Sequence, residues 1–144
     1  ERMANQMKEK LTLEACSGVI GQCLANEDWK IRQAGYIASG LVTQACKDHM
    51  KSNMQSAFET AAKGIQDSHL RVKYAGLFCL AQLLITLKPA AQKAYHAELV
   101  PVLLNIASTD SHVKVQTMAV STLFYFTNGL IEEDKNEIEE TMMS

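Results

Sequence analysis

The sequence predicts an all-α protein, an α-solenoid of about three helical repeats. The chain has 144 residues, of which 47% are hydrophobic, and only seven are glycine and two proline, so one helical domain of ordinary size is expected. A motif recurs twice at a nearly constant spacing, and the apolar residues within each copy follow the period of an α-helix. We therefore expect antiparallel helix pairs that stack into a right-handed superhelix.

The repeated motif is centred on Ile31, Val72 and Val115. Val72 lies 41 residues after Ile31, and Val115 follows 43 residues later; a period of about 40 to 47 residues is typical of HEAT and armadillo solenoids. A carboxylate or carboxamide side chain stands five residues before each of these positions, in Asn26, Asp67 and Asp110. Since such side chains accept hydrogen bonds from free backbone N–H groups at a helix N-terminus, each predicts the start of a helix.

Three pairs of helices follow from these signals. The expected spans are 8–25 with 29–46, 50–65 with 69–87, and 90–108 with 112–127. The whole of 1–144 is predicted to be one repeat array, with repeats at about 8–46, 50–87 and 90–127, and with 128–144 as the start of a further helix or an acidic tail. The first residues include neither a start methionine nor a signal peptide, which predicts a fragment of a longer protein.

The apolar patterns distinguish the first two pairs. In the first pair, Ile31 is expected to begin a buried stripe, and the small residues Ala34 and Gly35 allow a neighbouring helix to approach closely. In the second pair, 50–65 is amphipathic, whereas 70–87 is apolar nearly all round. The second pattern is expected for the middle helix of a stack, because that helix contacts its partner and both flanking repeats.

Composition and spacing exclude several function classes. The net charge is −2 and the segment 131–140 is strongly acidic, so direct nucleic-acid binding is not expected. No apolar run is long enough for membrane insertion. The four cysteines lack CxxC spacing and are predicted to be reduced core residues, and the four histidines lack metal-ligand spacing. Without a phosphate-binding loop or an activated nucleophile, the sequence predicts no enzyme, no cofactor and no metal site.

Three stretches of the chain carry a resemblance to known families. "DSHLRVKYAG" (67–76) resembles the second helix of a HEAT repeat. "NEDWKIRQAGYIASGLV", "QDSHLRVKYAGLFCLAQL" and "AYHAELVPVLLNIASTDSHVKVQTMAVSTLFYFTN" in this order resemble consecutive central repeats of the importin-β (karyopherin-β) family, nearest the importin-four and importin-five branch. The resemblance implies a nuclear transport receptor that shuttles between cytoplasm and nucleus. Its implied partners are cargo proteins, Ran·GTP and phenylalanine-glycine nucleoporins.

Basic residues recur near the starts of the second helices, at Lys30, Arg32, Arg71, Lys73 and Lys114, and stacking should align them in a ladder. The candidate partner-binding residues lie in the same region. They are Trp29, Lys30, Arg32, Arg71, Tyr74 and Lys114. Trp29 either packs against the adjacent repeat or stacks on a lysine or arginine of a cargo. Arg32 either faces a partner or bonds to Asp and Asn side chains of neighbouring turns.

Other functions use the same fold. A static HEAT scaffold, such as a phosphatase regulatory subunit, a coat subunit or a microtubule-binding array, is the alternative to a transport receptor. A third possibility is that these residues are structural filler within such an array and contact no ligand. The sequence therefore predicts the architecture more closely than it predicts the partner.

Overall fold

The computed structural model describes residues 1–143, apart from the side chains of 133–138. The chain forms α1 (Arg2–Leu24), α2 (Trp29–Ala45), α3 (Lys47–Ser52), α4 (Met54–Ile65), α5 (Leu70–Thr86), α6 (Ala90–Thr109) and α7 (Val113–Met143). No strand is assigned in these residues. The predicted all-α class is therefore confirmed.

The helices form three pairs that stack side by side. Helix α1 packs on α2, α4 on α5 and α6 on α7, while α5 also lies between α2 and α7. The second helices α2, α5 and α7 thus make one layer, and the short α3 precedes α4. This arrangement confirms an α-solenoid, whereas the handedness of its superhelix stays a prediction.

Helix α5 is the middle helix of the stack, as its apolar pattern predicted. Nine of its residues are buried, more than in any of the helices α1 to α4 and α6. One of them is Cys79, and burial raises the pKa of its thiol to about 11. Cys46 and Cys79 are buried free thiols, whereas Cys16 and Cys23 are only half-buried. The prediction of reduced core cysteines therefore fits the first two residues best.

Gly76 of α5 makes the closest backbone approach in this core. A Cβ atom built on Gly76 would lie 2.5 Å from the carbonyl carbon of Gly64 and 2.7 Å from the nitrogen of Ile65, both in α4. Backbone atoms cannot move aside as a flexible side chain can, so any larger residue would push α4 and α5 apart. The small residues of the motif therefore permit close packing within a pair.

Two predicted bounds of the first helices are wrong. Helix α1 begins at Arg2 rather than at residue 8, because the preceding residues also have good helix propensity. The predicted helix 50–65 is divided at Asn53, which ends α3 and begins α4. The side-chain amide of Asn53 donates a hydrogen bond to the carbonyl oxygen of His49 at 3.0 Å, and such local bonds compete with the helical pattern.

The predicted end of the last helix at residue 127 is also wrong. Helix α7 continues to Met143, so 128–143 extend the second helix of the third repeat instead of beginning a further helix or forming a separate tail. Gly129 lies inside α7 and does not adopt the positive φ of a helix-ending glycine. Its missing side chain instead leaves room for the amide group of Gln92 in α6, and an ion pair joins Lys88 to Glu132.

The Asn and Asp residues of the motif lie two positions before the residues that cap the helices. Asp28 is the N-cap of α2 and His69 is the N-cap of α5. The side-chain oxygen of Asn26 accepts a hydrogen bond from the Asp28 N–H at 2.8 Å, and that of Asp67 accepts one from the His69 N–H at 2.9 Å. The prediction that Asn26 and Asp67 cap the helices is therefore wrong, because their side chains fold the preceding turn.

Ile31 differs from its equivalents in the other two repeats. Val72 and Val115 are fully buried, whereas Ile31 is 38% exposed. The prediction that Ile31 begins a buried stripe is therefore wrong. Helix α5 has a second helix on each side, but in the described chain α2 has one on a single side only.

Candidate partner-binding groove

Three basic residues occupy the same position in successive second helices. Lys30, Arg71 and Lys114 each lie one residue before the repeated Ile or Val of the motif, and each is exposed. Because α2, α5 and α7 are neighbours in one layer, these three residues, here termed the cation row, cross that layer from repeat to repeat. Of the predicted ladder of basic residues, these three are exposed, whereas Arg32 and Lys73 form ion pairs with aspartates of the next repeat.

A groove lies along the N-terminal halves of α5 and α7 and reaches Gln33 of α2, beside the cation row. It has a volume of about 870 Å³ and is lined by Arg71, Tyr74, Val113 and Lys114 among other residues. Tyr74 is 41% exposed and Val113 is 74% exposed. The groove therefore combines two positive charges with an exposed aromatic ring and an exposed aliphatic side chain.

No described side chain forms an ion pair with the positive charges of the groove. Its lining includes no aspartate and no glutamate. Among the described side chains, neither Arg71 nor Lys114 forms an ion pair. Asp110 is close in sequence to Lys114, but its carboxylate contacts Lys73 and His112 instead. Three of the six predicted site residues, Arg71, Tyr74 and Lys114, therefore meet in one open, positively charged groove.

Trp29 packs against the adjacent repeat. Its ring stacks on the His69 ring, with 4.0 Å between the ring centroids and 8° between the planes. The Arg71 guanidinium carbon lies 5.5 Å from the Trp29 centroid, and the Lys30 Nζ lies 5.8 Å from it. These cations of the chain already use the attraction of the ring for positive charge. The geometry favours the packing interpretation of Trp29 over stacking on a cargo lysine or arginine.

Arg32 joins the first repeat to the second. Its Nε donates to Asp67 Oδ2 at 3.0 Å and its Nη2 to Asp67 Oδ1 at 3.2 Å, a two-pronged ion pair. The Nη1 group donates to the carbonyl oxygens of Asn26 and Glu27 at 3.0 Å and 2.7 Å. These bonds occupy the fork of the guanidinium. The geometry therefore favours the bonding interpretation of Arg32 over direct contact with a partner.

Lys73 is the equivalent of Arg32 in the second repeat and makes the equivalent contact. Its Nζ donates to Asp110 Oδ2 at 3.0 Å, and the Asp110 side chain is only 9% exposed. The third repeat has Gln116 at this position. One basic residue from each of the first two second helices thus bonds to the Asp of the following repeat.

These contacts change the pKa of both aspartates. Burial acts to raise the pKa of Asp67, but hydrogen bonds from Arg32 and from the His69 N–H outweigh it, so the pKa is lowered. The pKa of Asp110 is lowered mainly by the hydrogen bond from the His112 N–H, with a further contribution from Lys73. Both carboxylates therefore favour the charged form that the ion pairs need.

Two parts of this site were missed in the sequence. The first is the contact between His69 and Trp29. The recurrence of His69 as His112 predicted a role in the turn, and His69 does cap α5, but its stacking on the Trp29 ring was not predicted. The second is the cause of the groove. Trp29, Leu70 and Val113 share one repeat position. The large Trp29 ring packs against a buried cluster at that position, whereas the smaller Leu70 and Val113 side chains line an open groove. Aligning the repeats by size at that position would have predicted the groove.

No group of three or more His, Cys, Asp or Glu side chains in the described part of the chain is placed to hold a metal ion. Among the described helices, none is both long enough and apolar enough to cross a membrane. The groove and the cation row are therefore the candidate binding surface of the described residues.

The fold and this surface define the class of the protein as a HEAT-type α-solenoid with an open groove on its second helices. No protein-family model matches the chain. Importin subunit beta-3 of Saccharomyces cerevisiae is 25% identical over 105 residues, which are 73% of this chain and 10% of that protein. The chain thus spans about one tenth of the length of this curated relative.

A solved structure agrees with the fold. The crystal structure of Kap121p bound to Pho4p matches the backbone with a TM-score of 0.74 and 22% sequence identity, over 85% of this chain and 13% of that one. This likeness shows a shared fold. The sequence comparison shows a similarity to an importin β subunit, and both comparisons are with proteins many times longer than this chain.

Proposed function

We propose that the chain is a segment of a nuclear transport receptor of the importin-β family, in the importin-four and importin-five branch. The observation that carries the proposal is the sequence match to importin subunit beta-3. The shared fold with Kap121p supports it, as does the order of the signatures along the chain. The receptor moves between cytoplasm and nucleus and acts by binding, without catalysis, cofactor or metal.

Protein partners bind on the layer of second helices in this proposal. Kap121p is bound to Pho4p in its crystal structure, and by analogy this chain contacts a cargo through the exposed residues of α2, α5 and α7. Ran·GTP and phenylalanine-glycine nucleoporins are the further partners of the whole receptor. Single contacts of this kind are weak, and many repeats acting together supply the affinity. Each repeat touches only its neighbours, so the solenoid can change pitch between partners.

The experiment that tests the proposal measures Ran binding. The full-length protein that contains these residues is titrated by calorimetry with Ran·GTP and, as the matched control, with Ran·GDP. A transport receptor binds the GTP form strongly and the GDP form weakly, and Ran·GTP changes its affinity for cargo. Equal binding to both forms, or binding to neither, would contradict the proposal and leave only the HEAT-type solenoid.

The static scaffold is the alternative that this experiment separates. A phosphatase regulatory, coat or microtubule-binding array shares the same helix pairs but does not distinguish the two nucleotide states of Ran. Such a protein is expected to co-purify with a stable partner at constant stoichiometry. Absence of a Ran preference together with a stable complex would therefore favour the scaffold.

A further inference from the structure

We propose that the groove and the cation row bind an acidic segment of a partner protein, held in an extended conformation with a carboxylate at about every third residue. The inference specifies the chemistry of the partner and rests on the proposed protein-binding role of this surface. It does not depend on Ran or on transport. The charge of the groove, the spacing of the cation row and the exposed apolar side chains of the groove favour such a segment.

The charge of the groove selects an anionic partner. Arg71 and Lys114 line the groove without a carboxylate among its lining residues, and Lys30 continues the row near the Trp29 ring. In the turns before α5 and α7, Asp67 is already bonded to Arg32 and Asp110 to Lys73, while Asp28 caps α2 by accepting the Lys30 backbone N–H. A basic segment would meet these positive charges without compensation, whereas an acidic one pairs with them.

The spacing of the row selects an extended segment. Packed helices lie about 8–10 Å apart, so equivalent residues of adjacent second helices follow one another at about that distance. An extended strand advances about 3.3 Å per residue, and a polyproline II segment advances about 3.1 Å with three residues per turn. Three residues of either conformation span about 10 Å. Acidic residues separated by two others therefore match successive members of the row.

The apolar lining gives the segment a second point of contact. Tyr74 lies one helical turn after Arg71, and Met118 lies one turn after Lys114; both line the groove. Val113 adds an exposed aliphatic side chain at the same edge. A leucine or aromatic residue between two carboxylates can pack on these side chains, which a bare polyanion cannot do.

Arg71 is held in a position that serves both the row and the groove. Its guanidinium lies over the Trp29 ring at 5.5 Å from the centroid, and the same residue lines the groove. A cation whose side chain is restrained loses less conformational entropy when it binds a carboxylate. We therefore expect Arg71 to contribute more to binding than Lys114.

The experiment uses the chain and a fluorescein-labelled nine-residue peptide, measured by fluorescence anisotropy. The peptide has glutamate at its first, fourth and seventh positions, leucine at the fifth, and serine and proline elsewhere. A control peptide of the same composition has its three glutamates consecutive, and a second control has lysine in place of glutamate. The spaced peptide is expected to bind about three-fold more tightly than the clustered one, with an affinity that falls as salt is added.

Matched variants of the chain locate the site. Lys114→Gln should weaken binding of the spaced peptide about three-fold, and Arg71→Gln with Lys114→Gln about ten-fold or more. Lys63→Gln removes the same charge from an exposed residue of α4 and should leave binding unchanged. Lys114 forms no ion pair within the described residues, so its variant is expected to remain folded, which circular dichroism checks.

Several results would overturn the inference. These are absence of binding at millimolar peptide, equal binding of the lysine peptide, and equal loss of affinity in Lys63→Gln and Lys114→Gln. Tighter binding of a single-stranded oligonucleotide than of the peptide would indicate that the positively charged groove binds nucleic acid instead of an acidic protein segment. The Ran titration separates this inference from the proposed function: a Ran·GTP preference without peptide binding removes only the inference, and peptide binding without that preference removes only the transport role.

Discussion

Two contacts between neighbouring second helices, here called steps, each include an equivalent ion pair. They differ in the side chains that fill the space beside that ion pair. The first step joins α2 to α5 and the second joins α5 to α7. A basic residue of the earlier helix bonds to the Asp of the later repeat in both, Arg32 to Asp67 and Lys73 to Asp110. These contacts hold successive second helices in equivalent positions.

The filling of the two steps depends on one repeat position. At the first step Trp29 stacks on His69 and packs against a buried cluster around Tyr36 and Val72. At the second step the equivalent of Trp29 is Leu70, and the space beside it remains an open groove. The difference shows that a repeat array can be closed at one step and open at the next without any change of the backbone plan.

The largest predicted effect is on the packing of α5, the helix that takes part in both steps. Gly76→Ala places a Cβ atom 2.5 Å from the backbone of α4, and overpacking of this kind costs about 1–3 kcal/mol or more. Since α5 takes part in both steps, the variant should lower the free energy of unfolding by about 3 kcal/mol, measured by urea denaturation. Gly21→Ala is the matched control, because nothing lies within 4 Å of its added Cβ; it should raise stability by up to about 1 kcal/mol. Equal effects of the two variants would contradict the close approach.

The next effect separates the closed step from the open one. Trp29→Ala removes a stacked, half-buried ring and should destabilise the chain by about 2 kcal/mol in thermal or urea unfolding. Leu70→Ala, at the equivalent position beside the open groove, should cost about 1 kcal/mol. The comparison fails if Leu70→Ala proves as destabilising as Trp29→Ala.

A smaller effect concerns pH and the shared ion pairs. The folded-state pKa of Asp67 lies below its ordinary value of 3.8, so its stabilising contribution is complete above that value and is lost as pH falls through the folded-state pKa. Asp67→Asn should therefore lower the Tm by about 2–4 °C at pH 7. The difference in Tm between the original chain and the variant should shrink below about pH 4. Asp110→Asn should behave in the same way, since its pKa is lowered too. A difference that persists unchanged at pH 2 would exclude ionisation as its cause.

The smallest effect is expected in the open groove. Lys114 is exposed, and Lys114→Gln should change the free energy of unfolding by no more than about 0.5 kcal/mol. Lys114→Gln should nevertheless weaken binding of the spaced peptide. Loss of stability in Lys114→Gln, measured by thermal unfolding, would mean that Lys114 supports the fold. It would contradict the conclusion that the second step is open.

The fold was predictable from the sequence because its signals are local or periodic. The apolar stripe of 50–65 and the nearly continuous apolar run of 70–87 predicted an outer helix and a middle helix, and the buried residues of α4 and α5 agree. The break at Asn53 was not predicted, since one local hydrogen bond decided it against a continuous helical pattern.

The site was predictable in part. The recurrence of Lys30, Arg71 and Lys114 predicted a row of cations, and the exposure of Tyr74 was expected from its position. The sequence does not decide whether Arg32 faces a partner or bonds to a neighbouring turn, because repetition alone cannot distinguish a surface cation from one that bonds to the next repeat. Its bidentate contact with Asp67 joins residues 35 positions apart in the sequence. Local sequence patterns do not predict which side chains meet over such a separation.

The sequence by itself determined that this chain is helical, that it repeats at about 40 residues, and that its middle helix is buried, because each property follows from local propensity or from period. Only the tertiary structure decided which cations are bonded and which are free, and which step between helices is closed. The physical reason is that these outcomes depend on the sizes and charges of side chains that meet across repeats, such as Trp29 with His69. Packing brings those side chains together, and no periodic pattern specifies how well they fill the space.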